Sequence, residues 1–207
     1  NNPDILARAL ARLGKTSGGP DGNIEDLIKR AKPEAIAAFA DPTRGRIVTS
    51  AIGRPHIVVA IDYACPFCRT LAPRLDALMR RYPDAIIGFR ETPILSEESK
   101  LAAKVGLAVA RQGNDRYLAY HFALMGRRGP LSEQAILDAA AKAGADLARV
   151  AADVYSPDVS DDIQANIGLM RGIGIMATPL LVAGNEINSG AIEPIELEEH
   201  LRRAMGR

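Results

Sequence analysis

The chain has no tryptophan, and aromatic residues make up only 4% of its 207 positions. That scarcity argues against a single-stranded nucleic-acid surface, which stacks successive bases on several aromatic faces. Charge of a dominant sign is also missing: 26 Lys and Arg stand against 25 Asp and Glu, for a net charge of +1. A near-neutral chain has little field with which to hold nucleic acid or an anionic bilayer. No apolar run approaches the roughly 18 residues that read as a membrane span. Asn1-Asn2-Pro3 carries neither an initiator Met nor a charged-then-apolar leader. The expectation is a processed mature form or a shortened piece, and the missing leader does not argue for a cytoplasmic location.

Cysteine is the informative scarcity. Only Cys65 and Cys68 occur, with Pro66 and Phe67 between them. Domains stapled by disulfides spread their cysteines, because closing a long loop is where the stabilisation arises. A bridge across two residues closes almost no loop, so the pair is a poor staple and a plausible reagent. Half of a zinc site is disfavoured, since no second cysteine pair exists and His56, His121 and His200 are scattered. An inert, incidental pair is the bland alternative.

Hydrophobic residues make up 47% of the chain, enough for a substantial core. Leu6, Leu10 and Leu13 recur on one helical face, and residues 14–22 then read as a glycine-rich linker. Asn23 caps a short helix to about Ala31, and Pro33 begins another that ends near Asp41-Pro42. Short strands are expected at Arg46–Thr49 and Ala85–Arg90. His56–Ile61 is a continuous β-branched run suited to a strand buried on both faces. A helix from the dithiol to about Arg81 carries Leu71, Leu75, Leu78 and Met79 inward, with a kink expected at Pro73. Helical patterns fill residues 96–172, broken at Gly113, Gly129-Pro130, Gly144 and Ser156-Pro157. Strands at Leu180–Ala183 and Glu186-Ile187 precede a closing helix from Pro194 to about Met205.

A strand that delivers Cys-x-x-Cys to a helix N-terminus has a chemical purpose. The thiolate is the reactive form, and unpaired N–H groups together with the helix dipole stabilise it there. Pro66 suits the first helical position because it has no N–H to leave unpaired. Cys65 at the open end is the candidate attacking sulfur, and Cys68, about one turn on, the candidate resolving sulfur. Arg69 either adds positive charge or is solvated. Thr178-Pro179 stands immediately before a strand, where proline cannot donate to the ladder. A cis X–Pro bond in a loop beside the dithiol is one reading, leaving backbone groups for an extended substrate segment; an ordinary turn proline is the other.

With Asp62-Tyr63-Ala64-Cys65-Pro66-Phe67-Cys68, Glu91-Thr92-Pro93-Ile94-Leu95 and Ala177-Thr178-Pro179 assembled, the sequence resembles the DsbA-like family of periplasmic thiol oxidoreductases. The resemblance runs from about residue 46 to 205. Within that family it is most similar to the ScsC type (suppressor of copper sensitivity protein C), through the Asp62-Tyr63 pair, Pro93-Ile94-Leu95 and the opening Asn2-Pro3-Asp4-Ile5-Leu6.

The resemblance implies an α/β thioredoxin fold with an inserted helical domain and an N-terminal helical extension. The expected units are 1–45 (extension and linker), 46–95 (first part of the thioredoxin domain), 96–172 (helical insertion) and 173–207 (second part). It implies Cys65 as nucleophile, Cys68 as resolving cysteine, and a cis bond between Thr178 and Pro179. Pro66 and Phe67 complete the motif, while Thr178 and Pro179 form the substrate loop. Substrates are then cysteine-containing proteins, with a membrane redox partner, no nucleic acid, no organic cofactor and a periplasmic location. The ScsC likeness adds a possible homotrimer through the N-terminal helix and disulfide isomerase activity. It also keeps Cu(I) at Cys65 and Cys68 as a secondary role, although no metal is otherwise expected. A peptide-binding or chaperone module with an idle dithiol is the rival of a different class.

Two departures from the family pattern stand out. Many relatives carry a buried acid six residues before the first cysteine, and here that position is Val59. Phe67 replaces the histidine of some strong oxidants, which leaves the helix terminus as the expected main source of thiolate stabilisation. Glu91 is a candidate substitute acid, or else an exposed carboxylate at a strand end.

Overall fold

The computed structural model describes residues 23–207, so the expected Leu6–Leu10–Leu13 helix and the linker after it lie outside the described residues. Two short helices come first, α1 (Ile24–Arg30) and α2 (Pro33–Ala40). Asn23 caps α1 by accepting the Glu25 N–H, as its side-chain chemistry favours. The chain then forms β1 (Val48–Thr49), β2 (Ile57–Ile61), α3 (Pro66–Arg81) and β3 (Ile87–Glu91). Five helices follow: α4 (Glu97–Ala110), α5 (Asn114–Met125), α6 (Glu133–Lys142), α7 (Leu147–Asp153) and α8 (Pro157–Ile173). The last unit is β4 (Leu180–Ala183), β5 (Glu186–Ser189) and α9 (Pro194–Ala204).

The strands make one mixed sheet in the order β1-β3-β2-β4-β5. Central β2 runs parallel to β3 and antiparallel to β4, pairing Val59 with Phe89 on one side and with Leu181 on the other. This is the thioredoxin arrangement, with helices α4–α8 inserted between β3 and β4. All five residues of β2 are buried because both faces of the sheet are covered. Ile57, Val59 and Ile61 face a core shared with α3 and with most of the inserted helices. Val58 and Ala60 face a second core, where Ile36 and Phe39 of α2 meet Met170 and Ile173 of α8. Removing a side chain such as Phe39 or Phe89 from water supplies roughly 1.5–3 kcal/mol each.

The turn signals are honoured with small differences. β1 is two residues long rather than four, and β3 extends one residue further, to Glu91. α3 runs unbroken through Pro73. Helix breaks fall at the expected Gly113, Gly129, Gly144 and Ser156 regions. α8 stops at Gly174, whose φ of +85° suits a residue without Cβ and turns the chain toward the Thr178 loop.

Candidate active site

The dithiol sits where β2 gives way to α3. Cys65 is the N-cap of α3 in extended backbone conformation, Pro66 is the first helical residue, and Cys65 makes no side-chain cap hydrogen bond. Both cysteines are free and buried. The Cys65 thiol lies 3.0 Å from the carbonyl oxygen of Thr178, to which it donates when protonated. That contact brings together the two motifs separated by more than a hundred residues. The Thr178–Pro179 bond is cis. Phe67 projects beside them and is 42% exposed.

The two thiols are pushed in opposite directions. Cys65 is lowered from 9.0 to about 6: the Cys68 thiol contributes most, followed by the Thr178 hydroxyl and the backbone N–H groups of Cys68 and Phe67, against opposing burial. Cys68 is raised well above the usual thiol value, first by burial and then by donating to Cys65. The helix-terminus N–H groups do take part, but the expectation that they dominate is corrected. The neighbouring thiol is the larger contributor, because it donates its own hydrogen to the Cys65 sulfur.

The loop that carries Cys65 is held by Asp62, a residue quoted from the sequence without an assigned role. Fully buried Asp62 accepts from the Ala64 N–H at 2.7 Å and the Ser99 hydroxyl at 2.6 Å through Oδ1. Through Oδ2 it accepts from the Ile94 and Leu95 N–H groups at 2.8 and 2.9 Å. Thr92 adds two bonds to the Ile61 carbonyl, from its N–H and its hydroxyl. The Glu91–Leu95 motif is thus the clamp on the end of β2. Its signal in the sequence is an acid placed directly after a strand, beside a stretch of chain with spare backbone N–H groups.

Glu91 is fully buried, which corrects the exposed strand-end alternative. Its Oε1 accepts from the Tyr63 hydroxyl at 2.9 Å and the Tyr117 hydroxyl at 2.7 Å. Burial raises its pKa from 4.5 to about 8, outweighing the two phenols that favour the charged form. Tyr63 also lies 3.4 Å from His121 Nδ1. Since the Tyr63 hydrogen goes to Glu91, His121 serves as the donor to the Tyr63 oxygen. Burial lowers His121 to about 3, so the ring is neutral. Gly106 leaves room for this network, because a Cβ there would stand 3.0 Å from Glu91 Oε1 and 3.1 Å from Tyr120.

Arg69 does not reach toward the dithiol. Its guanidinium donates to the carbonyls of Met125 at 3.2 Å and Arg127 at 2.6 Å, tying α3 to the end of α5. The three histidines stay apart, with His56 accepting from the Ile86 N–H and His200 paired with Glu186 at 2.5 Å. Among the described residues, no group of three or more His, Cys, Asp and Glu side chains is placed to hold a metal ion.

No curated protein matches the chain by sequence. Solved structures do. A thioredoxin-like oxidoreductase from Silicibacter pomeroyi DSS-3 is 31% identical with a TM-score of 0.71, over 86% of this chain and 99% of that one. A periplasmic thioredoxin-like protein from Salmonella enterica serovar Typhimurium is 28% identical with a TM-score of 0.69, over 83% and 97%. The catalytic domain of Proteus mirabilis ScsC is 25% identical with a TM-score of 0.72, over 84% and 99%. The family model for the DSBA-like thioredoxin domain matches residues 56–202, a span that holds the sheet from β2 onward, the dithiol and the Thr178 loop. By sheet order, dithiol placement and this match together, the chain belongs to the DSBA-like thioredoxin family.

Proposed function

We propose that the chain is a periplasmic thiol–disulfide exchange enzyme for protein substrates, with Cys65 as the nucleophile and Cys68 as the resolving cysteine. The observation that carries this reading is the opposed pair of thiols at the head of α3, Cys65 at about 6 and Cys68 raised by burial. At neutral pH the first is a thiolate and the second keeps its proton. A low Cys65 pKa stabilises the reduced dithiol relative to the disulfide, which makes the pair a better oxidant.

In the oxidising direction a substrate thiolate attacks the Cys65 sulfur, and the Cys65–Cys68 bond breaks. Cys68 leaves as a thiolate and takes up a proton. The second substrate thiol, on losing its proton, attacks the substrate sulfur of the mixed disulfide. Cys65 leaves as its stabilised thiolate, the substrate holds a new disulfide, and two electrons have passed to the protein. A disulfide-bearing partner in the membrane then resets the dithiol by the same exchange. Isomerisation starts instead from the reduced dithiol, with Cys65 attacking a substrate disulfide; likeness to the ScsC catalytic domain supports it as the second reading.

The test uses the oxidised full chain and a reduced, unfolded secreted protein, with substrate thiols counted over time. Transfer of one disulfide per protein is expected. Cys65→Ala abolishes transfer, and reduced Cys68→Ala accumulates mixed disulfides with oxidised substrate. A binding module with an idle dithiol would keep its function in Cys65→Ala, and that result overturns the proposal. Recovery of activity from scrambled ribonuclease by the reduced chain, absent for oxidised chain, selects the isomerase reading.

A further inference from the structure

A cavity of about 400 Å³ lies beside the dithiol. Thr178, whose carbonyl meets the Cys65 sulfur, lines it, as does Phe67 from the motif itself. Its remaining walls come from Thr70 and Arg74 of α3, from Ala177, from the end of β5 and the chain after it, and from Ile24, the first residue of α1. Ile24 lies outside residues 56–202, so this wall is not part of the matched family domain. With Leu27 and Ile28, Ile24 packs half-buried against the core formed by β2, β4, α2 and α8. Apolar contact therefore seats α1 on the body of the protein.

The chemistry of the lining is selective. Its two charged residues are Arg74 and Glu193, which pair at 3.2 Å. The Arg74 guanidinium also donates to the Ala191 carbonyl at 3.2 Å and to that of Ile192. The Arg74 guanidinium is thus spent on Glu193 and on backbone, so an anionic group entering the cavity would lose water without gaining a partner. Ile24, Phe67 and Ala177 offer apolar contact instead.

We infer that Ile24 is a specificity-determining residue, forming with Phe67 and Ala177 the pocket for a large apolar side chain of an extended substrate segment, two residues from the substrate's reacting cysteine. The inference rests on the thiol-exchange reading above. In an extended segment residues i and i+2 point the same way, roughly 7 Å apart. A substrate cysteine joined to Cys65 beside Thr178 thus directs its second neighbour into the adjoining cavity. About 400 Å³ is near the small end of ligand pockets, which span roughly 300–1,000 Å³. That is room for a side chain and its backbone, not for a folded surface.

The test uses the reduced full chain and short peptides whose single cysteine is joined to nitrothiobenzoate, so that exchange releases a coloured thiol. The peptides differ only in having Leu, Gly or Asp two residues from the cysteine. For the unaltered chain, which is oxidised once as it reduces one peptide disulfide, the second-order rate constant for the Leu peptide should exceed that for Gly by roughly tenfold, the discrimination one apolar side chain allows. Asp should be no better than Gly. Ile24→Asp should reduce the Leu-to-Gly ratio to about twofold or less, and Ile24→Phe, which narrows the cavity, should lower it as well by excluding the Leu side chain. Because each ratio is taken within one protein, partial misfolding cancels. A Leu-to-Gly ratio near one in the unaltered chain, or a ratio that both substitutions leave intact, overturns the inference while thiol exchange stands. Failure of the unaltered chain to release nitrothiobenzoate from any peptide overturns the thiol-exchange reading, and the inference with it.

Discussion

Replacing Glu91 by Gln tests the buried network under the dithiol loop. Gln keeps an oxygen to accept from Tyr63 and Tyr117 but cannot ionise. In the unfolded chain the Glu91 carboxyl titrates at its ordinary value near 4.5, whereas in the folded protein burial holds it at about 8. A pKa raised on folding means that the unfolded chain gives up its proton first as the pH rises. Stability from this group is therefore complete below about 4.5 and is lost progressively until about 8. Integrating the proton linkage between those two values gives a loss of about 2–3 kcal/mol from pH 5 to pH 7, approaching about 5 kcal/mol above pH 8. That is a large share of a typical domain's 5–15 kcal/mol. Urea unfolding of the reduced protein and of Glu91→Gln, at pH 5, 6, 7 and 8, measures it, and titrations elsewhere cancel in the difference. The variant should gain on the parent by about 2–3 kcal/mol between pH 5 and 7. Parallel profiles would refute the reasoning, because they would mean that Glu91 ionises alike in both states.

Two further substitutions follow from the same loop. Asp62→Asn must turn an N–H₂ toward either the Ala64 N–H or the Ile94 and Leu95 N–H groups, all obligate donors. It should cost about 1–3 kcal/mol in urea unfolding at neutral pH, and a change below 0.5 kcal/mol would show that the clamp bears no stability. Iodoacetamide labelling of the reduced parent should show Cys65 reacting with a midpoint near pH 6 and Cys68 essentially unlabelled until the pH is far higher. Cys68→Ala removes the largest contribution to that lowering and should move the Cys65 midpoint upward; an unmoved midpoint would instead assign the thiolate to the helix terminus and Thr178.

How much of this was legible beforehand varies from one residue to the next, and the reasons are local or tertiary. His56–Ile61 announced a strand covered on both faces because the five apolar residues Ile57–Ile61, four of them β-branched, suit no other surface. Pro66, Pro157 and Pro194 each begin a helix, as a residue with fixed φ and no N–H should. The dithiol and its chemistry follow from spacing and strand–helix context, both of which are short-range.

Glu91 was ambiguous for the opposite reason. Its environment is made by Tyr63 from the loop after β2 and by Tyr117, Gly106 and His121 from the inserted helices. No pattern within β3 says whether its end will be wet. The balance of thiolate stabilisation likewise turned on where the Cys68 hydrogen points and on Thr178, which comes from the far end of the chain. Ile24 as a groove wall depends on α1 docking beside β5, a contact across the whole length of the fold. The sequence by itself thus determined the sheet, the helix starts and the reactive pair, because propensity, proline geometry and alternation act between neighbours. Only the tertiary structure decided which acid is buried, which group stabilises the thiolate and what walls the groove, because burial and partner choice are set by residues distant along the chain.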